Sequence, residues 1–389
     1  MQIMKRIVLL GATGSIGRNV LDVVARHPER FVVVGMAAHT SAGALGEAAR
    51  LHPGAMLALT DPDASAQLRA VGFGDRMLDG NRAMERLIGE TAPDLVVNAV
   101  VGFAGLSPTM AAVDAGISVA IANKETVVTG GEILVEAARR SGASLVPIDS
   151  EHAAIAQCLR GQRVEDVDRV FITASGGALR NEDPATFADV TREQVLAHPT
   201  WNMGEKITVD SATLVNKGLE VIEAHWLFGL PYDAIDVVVH PQSIIHAMVR
   251  FIDGSIVAQM GEPDMRLPIL FALSWPDRVS STLRHDVRAF PDLTFGAVDA
   301  RRYPCFDHVM RAARTGGAAV TVISAANELA VAAFLNGHIE FSRISDTIAA
   351  ALDAVEAPAL KTLSDILDTD ARTRAWVLDY LAEPGLGTG

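Results

Sequence analysis

Cysteine is nearly missing from this chain. Its 389 residues include only Cys158 and Cys305, in no C-x-x-C pair, so neither a disulfide framework nor a thiolate metal site is expected. Positive charge is in deficit, 33 Lys plus Arg against 47 Asp plus Glu for a net −14, which argues against a nucleic-acid partner or a polybasic membrane protein because phosphate-rich partners select basic faces. Any anionic ligand must then be met by a local cluster of cations. Long apolar runs are missing too. Lys5 and Arg6 precede only Ile7 to Leu10 before Gly11, and the stretch Gly316 to Leu335 is broken by Asn327 and Glu328 and suits a buried helix better than a bilayer span. There is no internal repeat and no low-complexity tract. The expectation is a cytoplasmic, folded protein with no membrane partner; 49% hydrophobic residues are ample for burial, and the length implies two or three domains.

The pattern that is present reads as α/β. Residues 6–10 form a short apolar run, 11–17 are Gly-rich, and Val20, Leu21, Val23 and Val24 follow at helical spacing, which is strand, turn, helix. Further buried strands are expected at Phe31 to Val34, Asp94 to Val101, Ser118 to Ala122 and Ser144 to Ile148, alternating with Ala-rich helices. Residues 1–149 therefore read as a Rossmann-like doubly wound parallel sheet. Residues 150–275 read as an α+β domain with a helix at 152–160, a strand at 169–174, a helix from about 211 to 228, and strands at 237–240, 244–251 and 255–260, the last two joined through Asp253-Gly254. Residues 276–300 read as a linker and 301–389 as an all-helical domain.

Gly11-Ala12-Thr13-Gly14-Ser15-Ile16-Gly17 opens the first helix straight after a strand, where backbone amides and the helix dipole favour an anion such as a pyrophosphate. The pattern is G-x-x-G-x-x-G, a variant of the dinucleotide fingerprint with Thr13 at the second glycine. A turn that merely packs a helix on a strand is the alternative. An NAD site places an acid on the ribose at the end of the second strand, but Phe31 to Gly46 holds none and offers Ala38, His39, Thr40 and Ser41 instead, which points to NADP. His39 alone is equally an ordinary surface histidine.

Asp149-Ser150-Glu151 ends a predicted strand, and carboxylates at i and i+2 of an extended segment point to one side. On the later helix, Asn216 and Glu220 share a face at i, i+4, with Lys217 at i, i+3 from Glu220. Oxygen ligands without His or Cys favour Mg²⁺ or Mn²⁺ over Zn²⁺. Surface carboxylates that cap helices are the plain alternative. Lysine is scarce, five in the chain, and Lys124 and Lys217 both fall in these segments, where an ammonium can hold a phosphate or polarise a carbonyl. The loop His198-Pro199-Thr200-Trp201-Asn202-Met203-Gly204 reads as a lid that covers a ligand, or as a loop pinned by a Trp anchor. Ser211, placed at a helix start, is either an N-cap or a phosphate contact.

Taken in order and spacing, G-A-T-G-S-I-G, N-K-E, D-S-E, S-G-G, H-P-T-W-N-M-G, D-S-A-T-L-V-N-K-G-L-E and G-E-P-D-M-R closely resemble the 1-deoxy-D-xylulose 5-phosphate reductoisomerase family over essentially the whole chain. The resemblance implies NADPH- and metal-dependent rearrangement and reduction of that sugar phosphate to 2-C-methyl-D-erythritol 4-phosphate, a step of non-mevalonate isoprenoid synthesis. It implies Asp149, Glu151 and Glu220 as metal ligands and, with Lys124, as the catalytic set. Lys124, Ser150 and Glu151 would meet the substrate's hydroxyl and carbonyl end. It implies Ser175, His198, Ser211, Asn216 and Lys217 around the phosphate, and Thr13, Gly14, Ser15, Ile16, Ala38, His39, Thr40, Asn123, Glu125 and Gly204 along NADPH. Residues 197–205, with His198, Trp201 and Met203, become the lid. The resemblance also favours a homodimer through the strands at 244–260. The chain departs from the family where His39 replaces a commonly stronger cation and Ala38 a frequent glycine. Two rival readings stand beside it: a redox-neutral metal-dependent lyase, which the nucleotide loop opposes, and a non-catalytic NADP sensor, which would have no need of D-S-E, N-K-G-L-E and a Trp lid together.

Overall fold

A computed structural model describes residues 4–383. By compactness the chain forms two units. The first comprises the residues up to Thr126, then Leu134–Ala153 and Asp264–Arg284; the second comprises Val127–Ile133, Ala154–Pro263 and the chain from His285.

The first unit is built on seven parallel strands, β1 (Lys5–Leu10), β2 (Phe31–Ala38), β3 (Met56–Leu59), β4 (Met77–Asp79), β5 (Leu95–Asn98), β6 (Ser118–Ile121) and β7 (Leu145–Pro147), in the order β4-β3-β2-β1-β5-β6-β7. Ile7 through Leu10 are all 0% exposed, so β1 is covered on both faces, as a continuous apolar run in a central parallel strand requires. The strand order reverses direction between β1 and β5, and the crevice beyond the carboxyl ends of these two strands is where open α/β sheets bind ligands. The helix Ser15–Arg26 after β1 buries Val20, Val23 and Val24. The helix Arg266–Ser274 belongs to this unit: Arg266 reaches Asp22 at 3.4 Å, and Lys5 Nζ donates to the carbonyls of Leu273 at 2.8 Å and Trp275 at 3.2 Å. Lys5 thereby caps the end of that helix, whose last carbonyls have no intrahelical donor.

The second unit has a five-stranded mixed sheet of β8 (Val167–Ala174), β9 (Ile235–Val239), β10 (Ile245–Phe251), β11 (Ile256–Met260) and β12 (Gly296–Ala297), in the order β11-β10-β8-β9-β12. β10 and β11 form the expected hairpin: Asp253 accepts from the Ser255 amide and hydroxyl, and Gly254 supplies the left-handed φ of +85°. The helices Pro304–Thr315, Ala319–Leu335, Arg343–Ala354 and Leu363–Ala382 confirm the helical character of the C-terminal stretch. Ala319–Leu335 is buried among them, with Val322, Ile323 and Ala326 all at 0% exposure. Among the described residues no helix is long and apolar enough to cross a membrane.

Two local expectations are corrected. The segment predicted as one helix from about 211 is two helices, Glu205–Thr213 and Val215–Phe228, broken where Leu214 takes φ 56°, so Ser211 sits in a last turn and is not an N-cap. Asp149 and Glu151 do not lie on one extended segment either, because the helix Ser150–Cys158 starts immediately after Asp149, whose Oδ1 accepts the Ser150 amide at 3.0 Å.

Candidate active site

In the first unit the Gly-rich turn is dictated by close packing. Gly11 has φ +82°, and a Cβ there would fall 2.3 Å from the Ala99 carbonyl oxygen; a Cβ on Gly17 would fall 2.2 Å from the Gly11 oxygen. The Gly11 and Ala12 amides both donate to Ala37 O at 2.9 Å, which ties the turn to the end of β2. Gly14 caps the helix Ser15–Arg26 with no side-chain partner for its first amides, and the space around it is open, a Cβ meeting only Gly11 O at 3.5 Å. An uncapped helix start of this kind, beside Thr13, Ser15 and Ile16, has the chemistry to hold an anion. Ala38 ends β2, and His39 and Thr40 lie exposed just past it. His39 Nδ1 is 2.8 Å from the hydroxyl of Thr60, a residue the sequence reading passed over because it follows a four-residue strand.

Asn123 is placed differently from a free ligand group. It caps the helix Lys124–Ser141 through the Thr126 amide at 2.7 Å, and its Nδ2 donates to the Val100 and Gly102 carbonyls at 2.5 and 2.7 Å. Its side chain shapes the loop after β5. Glu125 is buried in the first turn of that helix. Lys124 Nζ donates to Asp149 Oδ2 at 2.7 Å, with both side chains largely buried. Ser150 Oγ donates to Glu151 Oε2 at 2.5 Å. His152, fully buried with Nδ1 3.9 Å from Asp149 Oδ2, was missed in the sequence; D-S-E-H was its only signal. Lys124, Asp149, Ser150 and Glu151 thus form one cluster on this unit.

In the second unit the helix Val215–Phe228 does what its spacing predicts. Asn216 Nδ2 and Lys217 Nζ each donate to Glu220, to Oε1 and Oε2, both at 2.5 Å, and Lys217 and Glu220 are buried. Gly218 permits this helix to lie against Pro304–Thr315, since a Cβ would fall 2.7 Å from Val309. Ser175 follows β8 and meets His198. The Thr200 and Trp201 amides donate to His198 Nδ1 at 3.1 and 2.9 Å, so Nδ1 bears no hydrogen and Nε2 donates to Ser175 Oγ at 2.9 Å. Burial, and next to it the Arg180 charge, push the His198 pKa down to about 4, so the ring is neutral. Ser175 Oγ also accepts the Gly177 amide at 3.2 Å, which leaves its own hydrogen for an incoming oxygen. Gly177, at φ +72°, packs where a Cβ would lie 2.6 Å from Ser211 O, which brings Ser211 beneath the Ser175 loop. The Trp201 ring is 6.1 Å from that of His246, another residue without a sequence signal. Met203 is half-buried, and Gly204 caps the helix Glu205–Thr213 without a side chain.

Comparison with known proteins decides the family. Models described as 1-deoxy-D-xylulose 5-phosphate reductoisomerase, its C-terminal domain, and DXP reductoisomerase C-terminal domain match residues 7–131, 145–228 and 260–376. The 1-deoxy-D-xylulose 5-phosphate reductoisomerase of Burkholderia multivorans is 46% identical over 386 residues, covering 97% of each chain, and that of Acidithiobacillus ferrooxidans is 45% identical over the full length of both. The chain belongs to the 1-deoxy-D-xylulose 5-phosphate reductoisomerase family. The solved reductoisomerase of Zymomonas mobilis in complex with NADPH is 37% identical, with TM-score 0.90 and coverage of 98% of this chain and 100% of that one. A reductoisomerase crystal structure in complex with NADPH, fosmidomycin and magnesium is 33% identical, with TM-score 0.93 and coverage of 99% and 100%. The reductoisomerase fold therefore holds over the described residues.

Proposed function

We propose that this reductoisomerase converts 1-deoxy-D-xylulose 5-phosphate to 2-C-methyl-D-erythritol 4-phosphate with NADPH and a divalent cation, as a step of non-mevalonate isoprenoid synthesis. End-to-end likeness to reductoisomerases, two solved with NADPH and one of those with magnesium, carries the reading. The first unit takes NADPH through the Gly11–Gly17 turn and the residues Ala38, His39 and Thr40; the first-turn amides that follow Gly14, which no side chain caps, fit its pyrophosphate. Asn123, Glu125 and Gly204 complete that assignment. Asp149, Glu151 and Glu220 are the cation's ligands, and the hard oxygen set fits Mg²⁺ or Mn²⁺. When bound, the cation supplies Lewis-acid polarisation and NADPH the hydride.

The chain's own groups divide the remaining work. Lys124, Ser150 and Glu151 meet the hydroxyl and carbonyl end of the substrate, with the ammonium held in place by Asp149 at 2.7 Å. Ser175, His198, Ser211, Asn216 and Lys217 bind the phosphate. Ser175 donates its free hydrogen, and the neutral His198 orients that hydroxyl from a ring fixed by two loop amides. Phosphate binding at a remote end supplies orientation for the reacting carbons, and the loop 197–205 excludes water over them. The division into 1–149 for the cofactor, 150–275 for catalysis, 276–300 as a linker and 301–389 as a helical domain is kept with two changes: 264–284 return to the first unit, and Gly296–Ala297 form β12 in the second. The exposed edge strand β11, with Ile256, Val257 and Met260 open to solvent, supports a homodimer. The enzyme works in the cytoplasm.

The test is loss of NADPH absorbance with 1-deoxy-D-xylulose 5-phosphate, first with chelator and then with added Mg²⁺ or Mn²⁺. Oxidation restored by metal supports the assignment. No oxidation despite demonstrated NADPH binding would withdraw the substrate.

A further inference from the structure

We propose that His240 is a positioning residue for the loop 197–205, setting it for substrate through one neutral imidazole tautomer; the inference rests on the reductoisomerase reading above. His240 is 0% exposed and directly follows β9. Its amide donates to Ala174 O at 2.7 Å, the residue before Ser175. Its Nε2 is 3.2 Å from both the Ile244 and Ile245 amides, and an atom that accepts two amides carries no hydrogen. The ring hydrogen is therefore on Nδ1, where it donates to Thr294 O at 2.8 Å, while Phe295 stacks on the ring at 4.8 Å.

These bonds converge on the loop from two sides. On one side His240 fixes the main chain at Ala174, and the adjacent Ser175 holds His198 at 2.9 Å. On the other, it fixes the start of β10, whose Ile245 and His246 carbonyls also accept Thr173 Oγ1 at 2.7 and 2.9 Å. His246 in turn faces Trp201. The turn between the two sides holds Ser243 at φ +51°, a left-handed conformation that a non-glycine residue keeps only when its surroundings impose it. The two amides on the ring supply that restraint. A plain core histidine would fill space; this one uses each polar atom, and the loop's contacts at His198 and at Trp201 both lead back to it.

The variants His240→Phe, His240→Asn and His240→Gln separate the roles. Phe keeps a stacking ring without polar atoms, Asn keeps a donor but is short of the two amides, and Gln reaches them with its carboxamide oxygen. His240→Phe and His240→Asn should raise KM for 1-deoxy-D-xylulose 5-phosphate about tenfold or more with NADPH affinity unchanged, and His240→Gln should stay within about threefold of wild type. Hydrogen exchange of the Thr200 and Trp201 amides should quicken in the Phe and Asn variants, and adding Trp201→Ala should cost little further in KM, because both changes act on one loop. A fall in kcat alone with KM and loop exchange unmoved would overturn the proposal. So would nitrogen NMR of the wild-type ring that finds the hydrogen on Nε2 at neutral pH, a result readable even if the variants fail to fold. Absence of wild-type turnover would count against the activity, whereas tautomer and exchange need no substrate and decide the positioning role by themselves.

Discussion

Lys217 and Glu220 face each other at 2.5 Å one helical turn apart, and both are buried, with side-chain exposures of 4% and 1%. A charge kept that far from water is tolerable only against an opposite one, and removing one partner of such a pair costs several kcal/mol. Glu220→Ala removes this carboxylate from both the Lys217 ammonium and the Asn216 amide. The expected loss is roughly 3 kcal/mol of unfolding free energy together with loss of turnover. Urea denaturation and the NADPH assay measure the two effects. A variant as stable as wild type would show that the pair is not a structural element of this helix.

Glu151 offers a cleaner separation of chemistry from stability. It is half-buried at the first turn of Ser150–Cys158, where its carboxylate accepts the Ser150 hydroxyl at 2.5 Å. Glu151→Gln preserves size and removes the anionic oxygen that a hard cation prefers. Turnover should vanish while NADPH affinity, measured by fluorescence titration, stays nearly intact. Unchanged activity would remove Glu151 from the ligand set.

The glycine turn tests the nucleotide assignment by contrast between two positions. At Gly17 a methyl group would overlap the main-chain oxygen of Gly11 at 2.2 Å, which cannot turn aside as a flexible side chain could, so Gly17→Ala must lift the helix Ser15–Arg26 from β1. At Gly14 the methyl would meet only ordinary contact at 3.5 Å. Gly17→Ala should lower Tm and cost roughly 1–3 kcal/mol with NADPH binding reduced, whereas Gly14→Ala should keep Tm. Equal Tm losses would mean that packing does not distinguish the two glycines.

Much of this arrangement was legible because it rests on local periodicity. The strand-turn-helix at the first glycines and the Asn216–Lys217–Glu220 face both follow from spacing alone, and both appear with their hydrogen bonds in place. What was hidden depends on partners distant in sequence. His240 is defined by Ala174 and Thr294, His246 by Trp201, and the return of 264–284 to the first unit by Lys5 and Asp22. The strands β3 and β4 are too short, at four and three residues, to show a period. The break at Leu214 escaped because a left-handed non-glycine residue leaves no compositional mark.

His198 sets a pH dependence of stability. Its folded pKa of about 4 lies below the ordinary 6.5, so between these values the unfolded chain binds the proton that the folded ring refuses. Its contribution is complete above about pH 6.5 and is lost as pH falls toward 4. Protonation would place a hydrogen on Nδ1, which the Thr200 and Trp201 amides already occupy. His198→Gln should therefore lose less stability than wild type across that window. Parallel urea titrations at several pH values make the comparison, and identical slopes would refute the neutral ring.

Trp201 is the remaining element of the loop whose role can be isolated. Its amide is held by His198 at 2.9 Å and its ring lies 6.1 Å from His246, yet it is only half-buried in a segment punctuated by Pro199 and Gly204. A ring whose sole task was to pin the loop would be expected to sit deep in a core. A half-covered ring has apolar area left for a ligand, and closing over substrate removes that area from water. Trp201→Ala should accordingly raise KM for 1-deoxy-D-xylulose 5-phosphate by about tenfold or more while changing NADPH affinity much less, because the amide-to-imidazole bonds that shape the loop involve main chain and survive the substitution. Steady-state kinetics with each ligand varied in turn gives both values. Equal losses for substrate and cofactor would mean that the ring serves the loop's own fold and does not cover the sugar phosphate.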